Sequence, residues 1–225
     1  MNVVIYGCGE NGLQAFHCLR HATEIAVLGF LDGNPEMHGT EYLGLPVLGD
    51  FDVISQLQRE RELRGGIAAI GNNVVRARVN SRLRQAGLEI VRAIHPGVMI
   101  ESPRRIGEGV ILEMGAAVHA QAEIGDGVFM GTATIAAHHC RFGPYTIVSG
   151  GVSTGGRVTI GAYGLVGVGS SIHPHVTIGA NVIVGVGAAV VKDVPDNVVV
   201  AGVPARVIRE LAPLDLSDIP HEQVR

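Results

Sequence analysis

Tryptophan is absent from this 225-residue chain, and aromatic residues make up only 4% of it. A core built on large rings is therefore excluded. Charge is scarce as well, at 17% of residues, with a formal net charge of -4. Without a basic excess there is no electrostatic footprint for nucleic acid, and no such partner is expected. Cysteines number three, Cys8, Cys18 and Cys140, an odd count with no C-x-x-C pair. That argues against a disulfide framework and for a reduced, cytoplasmic protein. No apolar run approaches the ~20 residues a membrane span needs. The first residues enter an apolar strand directly, with no charged leader or cleavage pattern, so no membrane partner is expected.

What the chain does have is glycine, 32 residues in all, and a beat of six. Every sixth residue from Ile94 to Val190 is aliphatic or small, through Ile100, Ile106, Leu112, Val118, Ile124, Met130, Ala136, Phe142, Val148, Thr154, Ile160, Val166, Ile172, Ile178 and Val184. The position four residues after each is small or β-branched from Val110 through Ala116 and Ala122 to Val182 and Ala188, and the position one after is often glycine. Helices repeat near 3.6 and strands at two. A fixed six-residue period is the pattern of the left-handed parallel β-helix, in which three hexads make one triangular coil of eighteen residues. The glycines are expected at corners that need freedom from Cβ constraints. Such a prism has no interior pocket, so function is expected on its outside, at its turns or between copies.

Residues 1–95 read differently. Strands are predicted over 2–6, 25–31, 67–70 and 90–94. A helix-like stretch carries Leu13, Phe16 and Leu19, a polar helix is predicted over 52–64, and a third over 74–86 closed by Gly87. Strand and helix alternate, which gives a small Rossmann-like α/β unit with a short parallel sheet. Between the first strand and helix, Gly7, Gly9 and Gly12 form G-x-G-x-x-G, and Asp32 ends the second strand. That spacing suits a phosphate at a helix N-terminus with an acid on a ribose hydroxyl, and equally a tight strand-to-helix turn. With only about four strands, the second half of a dinucleotide site is missing, so NAD is not expected. The organisation is a Rossmann-like unit at 1–95, a β-helix at 96–209 and a tail at 210–225, the last expected to be loosely held.

The repeat resembles the hexapeptide acyltransferases. The whole chain resembles the bacterial sugar O-acyltransferases of the sialic-acid O-acetyltransferase type, and most closely the N-acetyltransferases of nucleotide-linked amino sugars. The motifs that carry this are Tyr6-Gly7, Asn11-Gly12, Phe30-Leu31-Asp32, Ala69 to Asn73, Ala137-His138-His139-Cys140 and Gly202 to Arg206. The resemblance implies acetyl-CoA as co-substrate, a UDP-, GDP- or TDP-linked amino sugar as acceptor, a homotrimer, and a place in polysaccharide biosynthesis. It places the nucleotide near Gly7, Gly9, Asn11, Asp32, Gly71, Asn72 and Asn73. It places the cofactor near Gly156, Val168, Gly185, Val186 and Arg206. It aligns His138 with a general base and Gly156 with an oxyanion amide.

The chemistry fits those residue types. An amine attacking a thioester must lose a proton, and imidazole with its pKa near ~6.5 can take it at neutral pH. The thioester oxygen becomes an anion and needs an N–H donor. In coils of eighteen, Ala120, His138 and Gly156 share one column, and His139 shares another with Gln121, Arg157 and His175. The family carries an acid after the histidine, whereas here the position is His139. A carboxylate for His138 is then expected from Glu123, Asp126 or another chain. Two other readings remain open: O-acetylation of a sialic-acid-like hydroxyl, and a non-catalytic scaffold. A zinc site on His119, His138 and His173 would need ligands from different columns to converge, so no metal is expected.

Overall fold

The computed structural model describes residues 1–219. The front unit runs β1 (Asn2–Tyr6), α1 (Glu10–Leu19), β2 (Ala26–Leu31), a small hairpin of β3 (Glu41–Tyr42) and β4 (Leu45–Pro46), α2 (Ile54–Glu60), β5 (Leu63–Ala68), α3 (Asn73–Gln85) and β6 (Glu89–Ile90). Its parallel sheet has the order β2-β1-β5-β6. The polar helix expected over 52–64 is shorter. It ends at Glu60, and Glu62 with φ +51° turns the chain. The next strand therefore starts at Leu63, earlier than expected, and passes through Gly65 and Gly66. These read as a break in the sequence, yet they are needed because a Cβ on Gly65 would come 2.9 Å from Val91 Cγ1. The strand expected over 90–94 divides, with Ala93–Ile94 pairing to Ile111–Leu112 of the solenoid.

From Ala93 the chain winds a parallel β-helix with three faces. Two-residue strands recur every six positions, and as far as Ile172 each pairs in register with the strand eighteen residues on, as Ile111 does with Phe129, Ala117 with Ile135 and Glu123 with Arg141; in the last coil Ile178 meets Val194 and Ile183 meets Val199. The first face starts at Ala93–Ile94, the second at Met99–Ile100 and the third at Arg105–Ile106. The inward columns are those of the six-residue beat, and from Val110 to Val200 they form one continuous core. Hydroxyls at inward corners bond carbonyls fifteen residues on: Thr134 to Ser149 O at 2.8 Å and Thr146 to Gly161 O at 2.7 Å. The solenoid ends in an antiparallel hairpin of 198–202 and 205–210.

The corner glycines meet Cβ constraints of two kinds, as expected. Positive φ falls on one column, every sixth residue from Gly109 to Gly187, taken by Gly109, Gly115, Gly127, Gly151, Gly169 and Gly187 and adopted also by Gln121, Ala133, His139, Tyr145, Arg157, Tyr163, His175 and Asn181. The other glycine column lies two residues earlier. There the next coil stacks too closely for a side chain, so a Cβ on Gly125 would lie 2.8 Å from Phe142 O and from Pro144 N.

α3 joins the two units. Asn72 caps it by accepting from Val74 N and Val75 N, and Gly87 at φ +81° ends it. Arg76, fully buried, crosses from α3 to the solenoid. Its guanidinium donates to Gly127 O (3.1 Å), Tyr145 O (2.9 Å), Ile70 O (2.8 Å) and Asn73 Oδ1 (3.0 Å). No ion pair of Arg76 with a carboxylate is present among the described residues. Burial lowers its pKa to about 10, so it remains a cation at neutral pH. The first face is covered too, since Ile111 and Phe129 pack with Ala15, Cys18 and Leu19 of α1.

The tail expected to be loose is docked in its described part. Ile219 is 4% exposed and packs with Ala77, Tyr145 and Tyr163.

Arg76→Leu should lower stability by about 3 kcal/mol or more, because it strands several buried carbonyls at once. The readout is the midpoint of thermal or urea unfolding, followed for both units.

Candidate functional site

A cavity of about 860 Å³ opens in the front unit. The turn after β1 supplies Gly7, Cys8, Gly9 and Asn11, the end of β2 supplies Asp32, the segment after β5 supplies Gly71, and α3 supplies Val75, Arg78 and Arg82. Five expected residues, Gly7, Gly9, Asn11, Asp32 and Gly71, thus meet in one cavity. Their glycines differ in cause. Gly7 has φ +118° and a Cβ there would reach 2.7 Å from Ala69 O, while one on Gly12 would collide with Gly7 O. Gly9 and Gly71 have no neighbour within 4 Å of a built Cβ. Internal packing explains the first pair; the second leaves open space at the cavity wall.

The α1 N-terminus has no side-chain cap, so its first amides remain available to an anion. The Asp32 carboxylate accepts from Cys8 N (2.8 Å) and Asn34 N (2.9 Å), which pins the loop. Burial and the Asp32 charge push the Cys8 thiol up to about 12, so it stays protonated. Burial and a 2.6 Å hydrogen bond to Asp50 likewise keep the Tyr6 phenol protonated. Arg82 lies 3.6 Å from the centroid of the Phe51 ring, which fixes its guanidinium at the wall by a cation–π contact.

Asn72 and Asn73, expected at the nucleotide, do not line the cavity. Asn72 is the α3 cap. Asn73 donates to Tyr163 O and Gly164 O, both at 2.9 Å, and so ties α3 to the solenoid. A polar pair before a helix fits capping as well as ligand binding, and here the caps won. Sequence reasoning missed Arg78 and Arg82. The signal was their four-residue spacing, which puts both on one side of the helix.

The second element lies on the corner between the second and third faces. The ladder stacks Ala120, His138 and Gly156: His139 N donates to Ala120 O, and Arg157 N to His138 O, both at 3.0 Å. The space expected on both sides of the imidazole is filled on one. The ring packs directly over Gly156 Cα, and a Cβ there would enter the ring. His138 Nδ1 and His139 Nδ1 are 3.2 Å apart, with the rings nearly perpendicular at 87°. Desolvation, then Arg157, His138 and Arg104, lower the His139 pKa. The carboxylates expected for His138 are engaged elsewhere. Asp126 takes Arg105 at 2.7 Å and Glu108 N at 3.1 Å, and Glu123 pairs with Arg104 and Arg141.

Some corner amides at the hexad position of Gly156 bind carboxylates, and others there have no acceptor among the described residues. Carboxylates take those of Ala120 (Glu101, 3.0 Å), Thr132 (Glu113, 2.8 Å) and Ala180 (Asp196, 2.8 Å). The Gly156 amide has no acceptor among the described residues. Among the same residues, no three His, Cys, Asp or Glu are grouped to hold a metal ion. No helix among them is long and apolar enough to cross a membrane.

Of the expected cofactor residues, Gly156 is on the histidine corner, and the others are elsewhere. Gly185, with Val168 (55% exposed) and Val186 (78% exposed), lies between the first and second faces. Arg206 is exposed on the end hairpin, its Nη1 on Ala205 O. One chain therefore does not bring His138 and these residues together.

The PglD N-terminal domain family matches residues 2–83. Among solved structures, a histidine-to-asparagine variant of perosamine N-acetyltransferase from Caulobacter crescentus, in complex with CoA and GDP-perosamine, is 36% identical. The match covers 93% of this chain and 98% of that one, with a TM-score of 0.87. The acetyltransferase domain of PglB from Neisseria gonorrhoeae, in complex with acetyl coenzyme A, is 29% identical over 92% of this chain and 98% of that one, with a TM-score of 0.82. No curated protein matches the chain.

Gly12→Ala should lower stability by about 1–3 kcal/mol, as overpacking does, whereas Gly9→Ala should stay within about 0.5 kcal/mol. Urea unfolding of the two variants beside the parent chain checks the contrast.

Proposed function

The chain belongs to the hexapeptide acyltransferases that N-acetylate nucleotide-linked amino sugars, and on that premise we propose how its own residues divide the work. The reaction moves the acetyl group of acetyl-CoA onto the amine of a UDP-, GDP- or TDP-linked amino sugar, a step in bacterial surface-glycan assembly. Both co-substrates are cytoplasmic metabolites, which places the enzyme there. The front cavity holds the nucleotide, with Gly9 and Gly71 left open for it, Asp32 shaping the loop, and the α1 N-terminus toward phosphate.

The observation that carries the catalytic assignment is the His138 ring on Gly156, beside an amide with no acceptor among the described residues. His138 Nε2 accepts the amine proton as the amine attacks the thioester carbonyl. The Gly156 N–H donates to the oxyanion, and collapse expels the CoA thiolate. For Nε2 to be free, the His138 proton must sit on Nδ1 and be donated to Nδ1 of His139. A neutral His139 can accept it. Its lowered pKa keeps it neutral at physiological pH, so His139 orients the base where the family has an acid.

Acetyl-CoA lies along Val168, Gly185 and Val186 of a second copy, with Arg206 near a phosphate. The second face between the two corners carries exposed Met99 and Ile135. Packing of this face in a homotrimer brings the histidine corner of one copy to the cofactor corner of the next. The amino-sugar acceptors of the matched enzymes favour this reading over sugar O-acetylation and over a non-catalytic scaffold.

Thiol release from acetyl-CoA, measured with a panel of nucleotide amino sugars and with free hydroxyl sugars, tests the reaction. Turnover only with the hydroxyl sugars would sink it. His138→Ala should lower kcat by roughly 10²–10⁴, with little change in acetyl-CoA affinity.

His139→Glu should keep turnover and move the acid limb of kcat/KM to higher pH. A carboxylate beside His138 favours the imidazolium, raises its pKa and protonates the base earlier as pH falls. In the parent chain that limb also records loss of the Nδ1 acceptor as pH falls through the lowered His139 pKa. A pH–rate profile of both proteins decides it, and an unmoved limb removes His139 from the dyad.

A further inference from the structure

Two arginines one turn apart on α3, Arg78 and Arg82, face the front cavity. Arg82 is held on Phe51, and among the described residues it has no ion pair. Arg78 does have one, and its partner comes from the far end of the chain. Its Nε is 2.8 Å from Asp218 Oδ2 and 3.0 Å from Oδ1, and Nη2 donates to Asp215 O at 3.2 Å. Asp218 itself lines the cavity.

The segment that delivers Asp218 is built to deliver it. Leu211 N donates to Asn197 O at 2.7 Å, and Asn181 Nδ2 donates to Ala212 O at 3.0 Å. Asp215 Oδ1 accepts from Ser217 N and Ser217 Oγ, which closes a turn just before Asp218. Ile219, buried against Ala77 and the stacked Tyr145 and Tyr163, anchors the far side. The strap therefore holds one carboxylate in the lining of the cavity, against the two arginines of its α3 side. An arginine fork takes a carboxylate and a phosphate with the same geometry.

We propose that Arg78 is a phosphate-binding residue of the front cavity, and that Asp218 occupies it as an internal stand-in which a nucleoside diphosphate displaces. This rests on the reading of that cavity as the nucleotide site. The Arg78 and Asp218 side chains are 37% and 55% exposed, so the pair is weak and costs an incoming ligand little. The Asp218 side chain swings away while Ile219 keeps the strap docked. An anionic stand-in also sets a threshold: a ligand lacking phosphate gains nothing from Arg78 and does not move Asp218.

Calorimetric titration of the full chain with GDP, UDP and TDP, and with the matching nucleosides, tests this. Arg78→Gln should weaken diphosphate binding by about tenfold or more, the scale of a charge-assisted phosphate contact, and leave nucleoside binding unchanged. Arg78→Lys, which keeps the charge and loses the fork, should fall between. Asp218→Asn should tighten diphosphate binding by about two- to fivefold, the scale of an exposed ion pair, and should have no effect in the Arg78→Gln background. Thermal midpoints of all variants establish that each is folded. The proposal falls if Asp218→Asn weakens diphosphate binding, or if Arg78→Gln affects nucleoside and diphosphate alike. If diphosphates bind and nucleotide amino sugars are acetylated while these variants behave as the parent, it falls alone and the proposed function stands. If no diphosphate binds any form, the nucleotide reading of the cavity falls with it.

Discussion

Everything in the solenoid depends on one constraint: each residue lies directly above the residue eighteen positions earlier, at the ~4.8 Å spacing of paired strands. Position in the hexad then fixes environment. Inward columns must be apolar and fill a narrow prism. The first corner column must be glycine where the next coil presses on it, as at Gly125 under Pro144. The left-handed column accepts any side chain that can bear positive φ, because those residues point outward. His139 is one of these, at φ +60°. The dyad is thus a by-product of corner geometry. The chain cannot turn there without throwing the residue after His138 outward beside it.

The three corners have separate tasks. The one between the third and first faces belongs to α3: Arg76 takes the carbonyls of Gly127 and Tyr145, and Asn73 takes those of Tyr163 and Gly164. A buried guanidinium with only carbonyl-type acceptors is a demanding joint. It is favourable only when those acceptors are aimed at it, and they are aimed only when the coils are in register. The front cavity is thereby held at a fixed orientation to the solenoid. The other two corners remain free, one with the histidines and one with Val168 and Val186. A site assembled from both edges of the second face needs two copies.

The solenoid was legible because its period is a statement about contacts. A six-residue beat names the pairs that touch, and Leu112, Met130, Val148, Val166 and Val184 stack as it says. The front unit was legible in type and less so in boundary. Gly65 and Gly66 weaken any local strand signal, and the press of Val91 that accounts for Gly65 is tertiary. In the site, the column of Ala120, His138 and Gly156 could be counted from sequence, but ring packing on Gly156 could not. Asn72 and Asn73 cap and tie α3 and do not line the cavity, and sequence cannot separate these roles from ligand binding because they use the same residue types. Arg78, Arg82 and Asp218 were not read at all, since their meeting depends on a tail whose docking rests on Ile219 and the two stacked tyrosines.

The histidine pair shows what a change of one residue type does to a proton path. A carboxylate acceptor holds the Nδ1 proton and also stabilises the imidazolium that forms as the amine is deprotonated. A neutral imidazole does only the first. In the proposed mechanism no carboxylate of the described residues lies on either ring, so the charge that develops on His138 has no anionic partner within the chain. Such a pair serves best when the amine proton it receives is already acidic, as it becomes once the C–N bond is well formed. The demand then moves to the oxyanion, because a late proton transfer needs a long-lived tetrahedral carbon. The Gly156 amide, which has no acceptor among the described residues, is the donor the proposed mechanism assigns to that demand. In that reading His138 and Gly156, stacked in one column, are two halves of the same arrangement.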